Sequence, residues 1–141
     1  MAYTIELMTL KRYDELIAFW KSIDGVWVSD DDSYENLKTY FKRNPDTNFI
    51  AVHDGNIVGT VKCSHDGRRG YLHHVAVKKE YRNQGIAKEM VEKCIGILRK
   101  EGIKQFRLFV LDSNKEALAF WKHLGFEEDA YDYRTFRKSY R

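Results

Sequence analysis

A chain of 141 residues that is 43% hydrophobic and 32% charged can close one core, and without low-complexity tracts it does not read as a disordered linker. Its net charge of +3 argues against strong non-specific nucleic-acid binding. With no signal-like start and no apolar run of membrane-spanning length, the expectation is one cytoplasmic domain over residues 1–141, with no nucleic-acid or membrane partner.

Tyr3 to Met8 alternates and predicts a first strand. Thr9 can cap the helix that follows, on which Tyr13, Leu16, Ile17 and Trp20 recur on one face. The pattern breaks at Asp24-Gly25, and Val26-Trp27-Val28 leads into Asp30-Asp31-Asp32. Asp32 with Glu35 has capping-box spacing, and a second helix then carries Tyr34, Leu37 and Phe41 before Asn44-Pro45 stops it. Asn48 to His53 and Asn56 to Ser64, joined by Asp54-Gly55, read as a hairpin.

The polar turn from His65 to Gly70 feeds a β-branched strand, Tyr71 to Val77. A long helix from about Gln84 to Glu101 then buries Ile86, Ala87, Met90, Val91, Cys94, Ile95, Ile97 and Leu98, and Gly102 ends it. Gln105 to Leu111 is a further strand. Ser113 and Glu116 form another capping-box pair before a helix with Ala117, Phe120, Trp121 and Leu124 inward and Gly125 as stop. From Phe126 onward, Tyr131, Tyr133 and Phe136 suggest one or two closing strands. The order is β-α-α-β-β-β-α-β-α-β, a mixed α/β sheet.

Two nucleotide motifs are absent: neither the P-loop pattern nor Gly-x-Gly-x-x-Gly occurs. What remains is Arg82-x-x-Gly85-x-Ala87 at the start of the long helix. Backbone N–H groups there lack intrahelical partners and the dipole is positive, so small side chains let an anion such as a diphosphate reach bare amides. Alone, the pattern is also that of an ordinary strand-to-helix turn. Cys63 and Cys94 lie far apart without metal-ligand spacing, so they read as reduced core thiols, and no metal is expected.

Val75-Ala76-Val77 … Tyr81-Arg82-x-x-Gly85-x-Ala87, followed by Asn114 … Phe120-Trp121-x-x-Leu124-Gly125-Phe126, resembles the GNAT superfamily of acyl-CoA-dependent N-acetyltransferases, in its small single-domain bacterial form. The resemblance is strongest from Tyr71 to Phe126. It implies an α+β fold with a mostly antiparallel central sheet flanked by about four helices. It further implies acetyl-CoA as co-substrate, its pantetheine arm on the backbone of Val75 and Val77. The pyrophosphate would sit at Arg82, Asn83, Gln84, Gly85, Ile86, Ala87 and Lys88. Lys78, Lys79 and Lys88 read first as a solvated basic face, and one of them could meet the cofactor's 3′-phosphate. Asn114 matches an asparagine that contacts the pantetheine arm or an ordered water in many members, and plain turn chemistry explains it as well.

Acetyl transfer from a thioester needs a neutral amine, a stabilised oxyanion and a protonated leaving thiolate. The Val75 N–H suits the oxyanion. His73 is the candidate base, four residues before Val77 where some members carry a glutamate; its ordinary pKa of about 6.5 fits. His74 faces the other way by strand alternation, unless a bulge exchanges them. Trp121 stands where many members have the tyrosine that protonates the thiolate, and an indole N–H is no proton-transfer acid. That leaves water, Tyr131 or the amine's own proton.

In the family, the first two helices and their loop line the acceptor pocket. Trp27 beside Asp30, Asp31 and Asp32 could hold a cationic amine, and an acidic loop in water is the plainer reading. Arg68 and Arg69 could hold an acceptor carboxylate or simply form a solvated turn. Trp121 is a second candidate pocket wall. The expected activity is transfer to a primary amine of a small molecule or peptide by direct attack. The alternative is a CoA-binding sensor or interaction module without turnover. Monomer and homodimer both stay open.

Overall fold

Asp54 and Gly55 both take positive φ, 50° and 77°, as a two-residue hairpin with right-handed strand twist requires. They join β2 (Phe49–His53) to β3 (Asn56–His65) in a computed structural model that describes residues 2–129 and 134–140. Around that hairpin, β1 (Thr4–Leu7) and β4 (Gly70–Val77) add antiparallel strands. A short β5 (Phe106–Arg107) adds a parallel one, giving a five-stranded sheet in the order β1-β2-β3-β4-β5. The helices are α1 (Tyr13–Ser22), α2 (Tyr34–Arg43), α3 (Ile86–Lys100) and α4 (Lys115–His123). This is the mixed, mostly antiparallel α+β fold expected. The chain divides into two compact units, Met1–Phe109 and Val110–Arg141.

In the first unit, β3 is buried from Ile57 to Cys63, because helices cover both faces of the sheet. Adjacent residues show it. Thr60 accepts a hydrogen bond from the α1 indole of Trp20, whereas a side chain added at Gly59 would meet Met90 of α3. On the α1–α2 face, Leu16, Phe19, Trp20 and Leu37 pack with Ile50, Val52 and Ile57 in one core. Tyr34 stays largely exposed on α2, set edge-on to Tyr13. On the other face α3 buries Ile86, Met90, Val91, Cys94 and Leu98, while Ala87, Ile95 and Ile97 are half-buried.

Several local expectations need correction. Asp32 does not pair with Glu35; Ser29 and Asp32 form the capping box, closing a 3₁₀ turn over Asp30–Asp32, and Ser33 caps α2. The motif was right and its register wrong, because two caps stand four residues apart. Thr9 makes no side-chain cap bond and precedes a 3₁₀ turn, Leu10–Arg12. The long helix begins at Ile86, not Gln84, since Asn83 and Gly85 take φ of 63° and 83°. Only Phe106–Arg107 of the expected Gln105–Leu111 strand is paired; an apolar run predicts extended chain but cannot supply a neighbour.

Gly70 sits where β4 meets β5. A Cβ there would lie 2.6 Å from the Phe106 ring, the residue opposite it. Gly70→Ala is expected to cost about 1–3 kcal/mol of stability, as overpacking does, read as a lower urea midpoint.

In the second unit Asn114, not Ser113, caps α4: its Oδ1 accepts from the Ala117 N–H at 3.1 Å. Trp121 is buried and packs edge-to-face with Phe120 and Phe126. Of the expected closing strands, Tyr131 and Tyr133 lie outside the described residues, and residues 126–129 and 134–140 carry no strand. Among the described residues, no helix is long and apolar enough to cross a membrane, and no cluster of three metal-ligating side chains forms.

Candidate active site

Strand β4 is irregular where the chemistry was expected. Opposite β3 the register runs Gly59–Val77 and Thr60–Ala76, then jumps to Lys62–His73. His74 takes the strain of this bulge, with φ at 47°. A buried relay pins it: the Trp20 Nε1–H donates to Thr60 Oγ1 at 2.8 Å, and the Thr60 hydroxyl donates to the His74 carbonyl at 2.7 Å.

Below the bulge one edge of β4 is open. The Lys78 N–H donates to the Val58 carbonyl across β3 at 2.8 Å, and amides two apart on a strand point the same way. The Val75 and Val77 amides are therefore turned away from β3. Since β5 pairs only with Gly70 and Tyr71, no strand among the described residues takes them.

That edge runs into the start of α3. The first intrahelical bond is from the Glu89 N–H to the Gly85 carbonyl, and no side chain caps the helix. The amides of Ile86, Ala87 and Lys88 therefore lack helical acceptors. Positive φ at Asn83 and Gly85 shapes the approach, and no atom lies within 4 Å of the place a Gly85 Cβ would occupy. Arg82 braces the turn, its Nε donating to the Val77 carbonyl at 2.9 Å. An open strand edge feeding a bare, dipole-positive helix end suits an extended molecule with an anionic middle.

On the α1–α2 face the bulge meets a buried ionic cluster. Asp32, 3% exposed, accepts from His74 Nε2 at 3.0 Å through Oδ2 and from Lys62 Nζ at 3.3 Å through Oδ1. Lys62, also buried, lies 4.6 Å from the Tyr40 ring centroid and 5.8 Å from that of Trp20. The His74 ring packs edge-on to Trp20. Burial alone would push the Asp32 carboxyl up, but the hydrogen bond from His74, its charge and the Lys62 ammonium outweigh it, leaving the pKa below the ordinary 3.8.

The chain's sequence decides what this arrangement is kin to: the profile of the acetyltransferase (GNAT) family matches residues 12–126. The chain belongs to that family. Among curated relatives, N-alpha-acetyltransferase 30 of Schizosaccharomyces pombe is 31% identical over 87 residues, 58% of each chain. The thialysine N-epsilon-acetyltransferase of Sus scrofa is 41% identical over 73 residues, 50% of this chain and 43% of that one. The chain thus spans about half the length of these relatives. Among solved structures, the PaiA N-acetyltransferase of Thermoplasma acidophilum in complex with coenzyme A shares the fold, with a TM-score of 0.79 at 20% identity over 94% of both chains.

Against this GNAT framework the expected site residues fall as follows. Val75 and Val77 lie on the open edge, and Arg82, Asn83, Gln84, Gly85, Ile86, Ala87 and Lys88 form the turn and helix start. Trp27 is 75% exposed, while Trp121 is buried among rings of its own unit. Asn114 commits its Oδ1 to the α4 cap. Arg68 and Arg69 close a turn around Asp66, whose Oδ1 takes both their backbone N–H groups. Cys63 and Cys94 are buried free thiols.

His73 and His74 do not face opposite ways. His73 stands opposite Lys62 in register and senses its charge; the bulge brings His74 round to the same cation through Asp32. His73 is exposed by surface area, yet the protein around it, then Lys62 and His74, lower its pKa below 6.5.

Asp32's burial and Lys62's part in the cluster were missed from sequence. A lysine inside the apolar run Ile57 to Cys63 was the available signal, since a buried ammonium demands a counter-ion. The cluster also makes a prediction. Asp32 holds its proton less tightly folded than unfolded, so its contribution is full above about pH 4 and lost as pH falls through the folded value. Urea midpoints measured between neutrality and about pH 3 should fall more steeply for the native chain than for Asp32→Asn.

Proposed function

We propose that this GNAT protein transfers acetyl from acetyl-CoA to a primary amine, by direct attack of the amine on the thioester. The observation that carries the reading is the continuous run from the outward amides of Val75 and Val77 to the uncapped amides of Ile86, Ala87 and Lys88. The pantetheine arm would pair with the first pair and the pyrophosphate would sit on the second group. Asn83, Gln84 and Gly85 shape that cradle, and Arg82 holds it against β4. Asn114 is proposed as a cofactor contact on the family resemblance alone; within its own unit its Oδ1 caps α4. That the family profile runs across both units supports one catalytic domain.

The Val75 N–H would stabilise the oxyanion as the carbonyl becomes tetrahedral. The proton acceptor comes from the adjacent imidazoles, His73 being the one the sequence put first. With no acid at Trp121, the thiolate would take its proton from the attacking nitrogen or water. Trp27 is the proposed acceptor-side wall. Relatives named for α-amino and ε-amino acetylation support an amine on a peptide or small molecule equally. The buried free thiols fit a reducing compartment such as the cytoplasm.

The test is thiol release from acetyl-CoA over a panel of peptides with free amino termini, lysine peptides, amino acids and spermidine, with CoA binding measured by calorimetry. Acetylated product with at least one acceptor is expected. Binding without release on every amine would replace the reading with a CoA sensor.

A further inference from the structure

We infer that His74, held by Asp32, is the group that takes the proton from the acceptor amine, with Asp32 acting as its positioning residue. The inference rests on the acetyl-transfer reading and specifies its base. Asp32 accepts through Oδ2, and a carboxylate has no proton to give, so the Nε2 of His74 carries the hydrogen of their 3.0 Å bond. That fixes the tautomer and leaves the lone pair on Nδ1. Nδ1 has no hydrogen-bond partner among the described residues, and since no buried side-chain nitrogen or oxygen lacks one, solvent reaches it.

His73 offers no comparable arrangement. Among the described residues it has no hydrogen-bond partner to set its tautomer, and it stands opposite a lysine whose charge opposes protonation. His74 is locked on three sides: Asp32 at Nε2, Trp20 in edge contact with the ring and Thr60 on its carbonyl. A base held in one tautomer and orientation is what proton transfer needs. His74 also adjoins Val75, whose amide is assigned to the oxyanion. The charged and titratable groups around it are Asp32 from the 3₁₀ turn, Lys62 from β3 and His73 from β4, with Tyr40 of α2 under Lys62.

In the step itself the ammonium form of the acceptor gives one N–H proton to Nδ1, and its freed lone pair forms the N–C bond to the thioester carbonyl. The tetrahedral centre then expels sulfur with the C–S electron pair. The second nitrogen proton passes to that sulfur, giving amide and free thiol, and Nδ1 returns its proton to water.

Two measurements test this. Long-range ¹H–¹⁵N spectra of the unmodified protein at neutral pH should show His74 as the Nε2–H tautomer and His73 as a free imidazole. An Nδ1–H tautomer, or an imidazolium already formed, would overturn the assignment without any variant having to fold. Kinetics use the best acceptor from the amine panel. His74→Gln should lower kcat about 100-fold with little change in KM for acetyl-CoA, and by far more than His73→Gln. Asp32→Asn should lower kcat with KM for acetyl-CoA little changed and weaken the Nε2–H signature of His74 in the same spectra, which a purely structural role would not do. A larger loss at His73 would sink the assignment alone; native protein inactive on every amine would sink the transfer reading itself.

Discussion

Asp32→Ala should lower the free energy of unfolding by about 3–5 kcal/mol, the usual consequence of removing one partner of a buried ion pair. The lysine left behind is 10% exposed in its side chain, with the Tyr40 and Trp20 rings close to its ammonium. Ring faces recover part of an ammonium's lost hydration but do not neutralise it. The double variant Asp32→Ala/Lys62→Met should be more stable than Asp32→Ala alone, because it removes the stranded charge while keeping most of the apolar stem. Chemical denaturation of the native chain, both single variants and the double one gives the coupling directly. An Asp32→Ala protein within 1 kcal/mol of native would mean that the pair is open to water.

The second large effect is expected at Gly85. No protein atom stands within 4 Å of an added Cβ, so a clash with the fold is not the issue; φ of 83° is. A side chain there costs about 1–3 kcal/mol of backbone strain. Relief by relaxing the turn would move the Ile86 and Ala87 amides off their target. Gly85→Val should therefore weaken CoA binding roughly ten- to a hundred-fold. Gly85→Asn should do less harm, because asparagine tolerates the left-handed region and a β-branched residue does not. Calorimetry on the two variants separates the explanations. Equal losses would point to a side chain blocking the anion, whereas unchanged affinity in both would displace the cradle.

Local signals were legible where a short stretch decides its own shape. The Asp54-Gly55 hairpin, the α3 core stripe and the Asn44 stop all follow from turn chemistry and periodicity, and the structure keeps them. Capping was legible as chemistry but not as register: among the closely spaced Ser29, Asp32 and Ser33, which oxygen meets which amide depends on where the helix starts. Strand alternation put His73 and His74 on opposite faces. One extra residue in the ladder, fixed by Thr60 and Trp20 from other elements, undid that.

The sequence by itself determined the family, the element order as far as α4 and the glycine that opens the long helix, because each is written in contiguous residues or short-range spacing. Only the tertiary structure decided that Asp32, Lys62 and His74 form one polar cluster across 42 positions of chain. The reason is physical: a carboxylate in an acidic loop is at home in water, and only the arrival of a lysine from β3 and a bulged histidine from β4 makes its burial favourable.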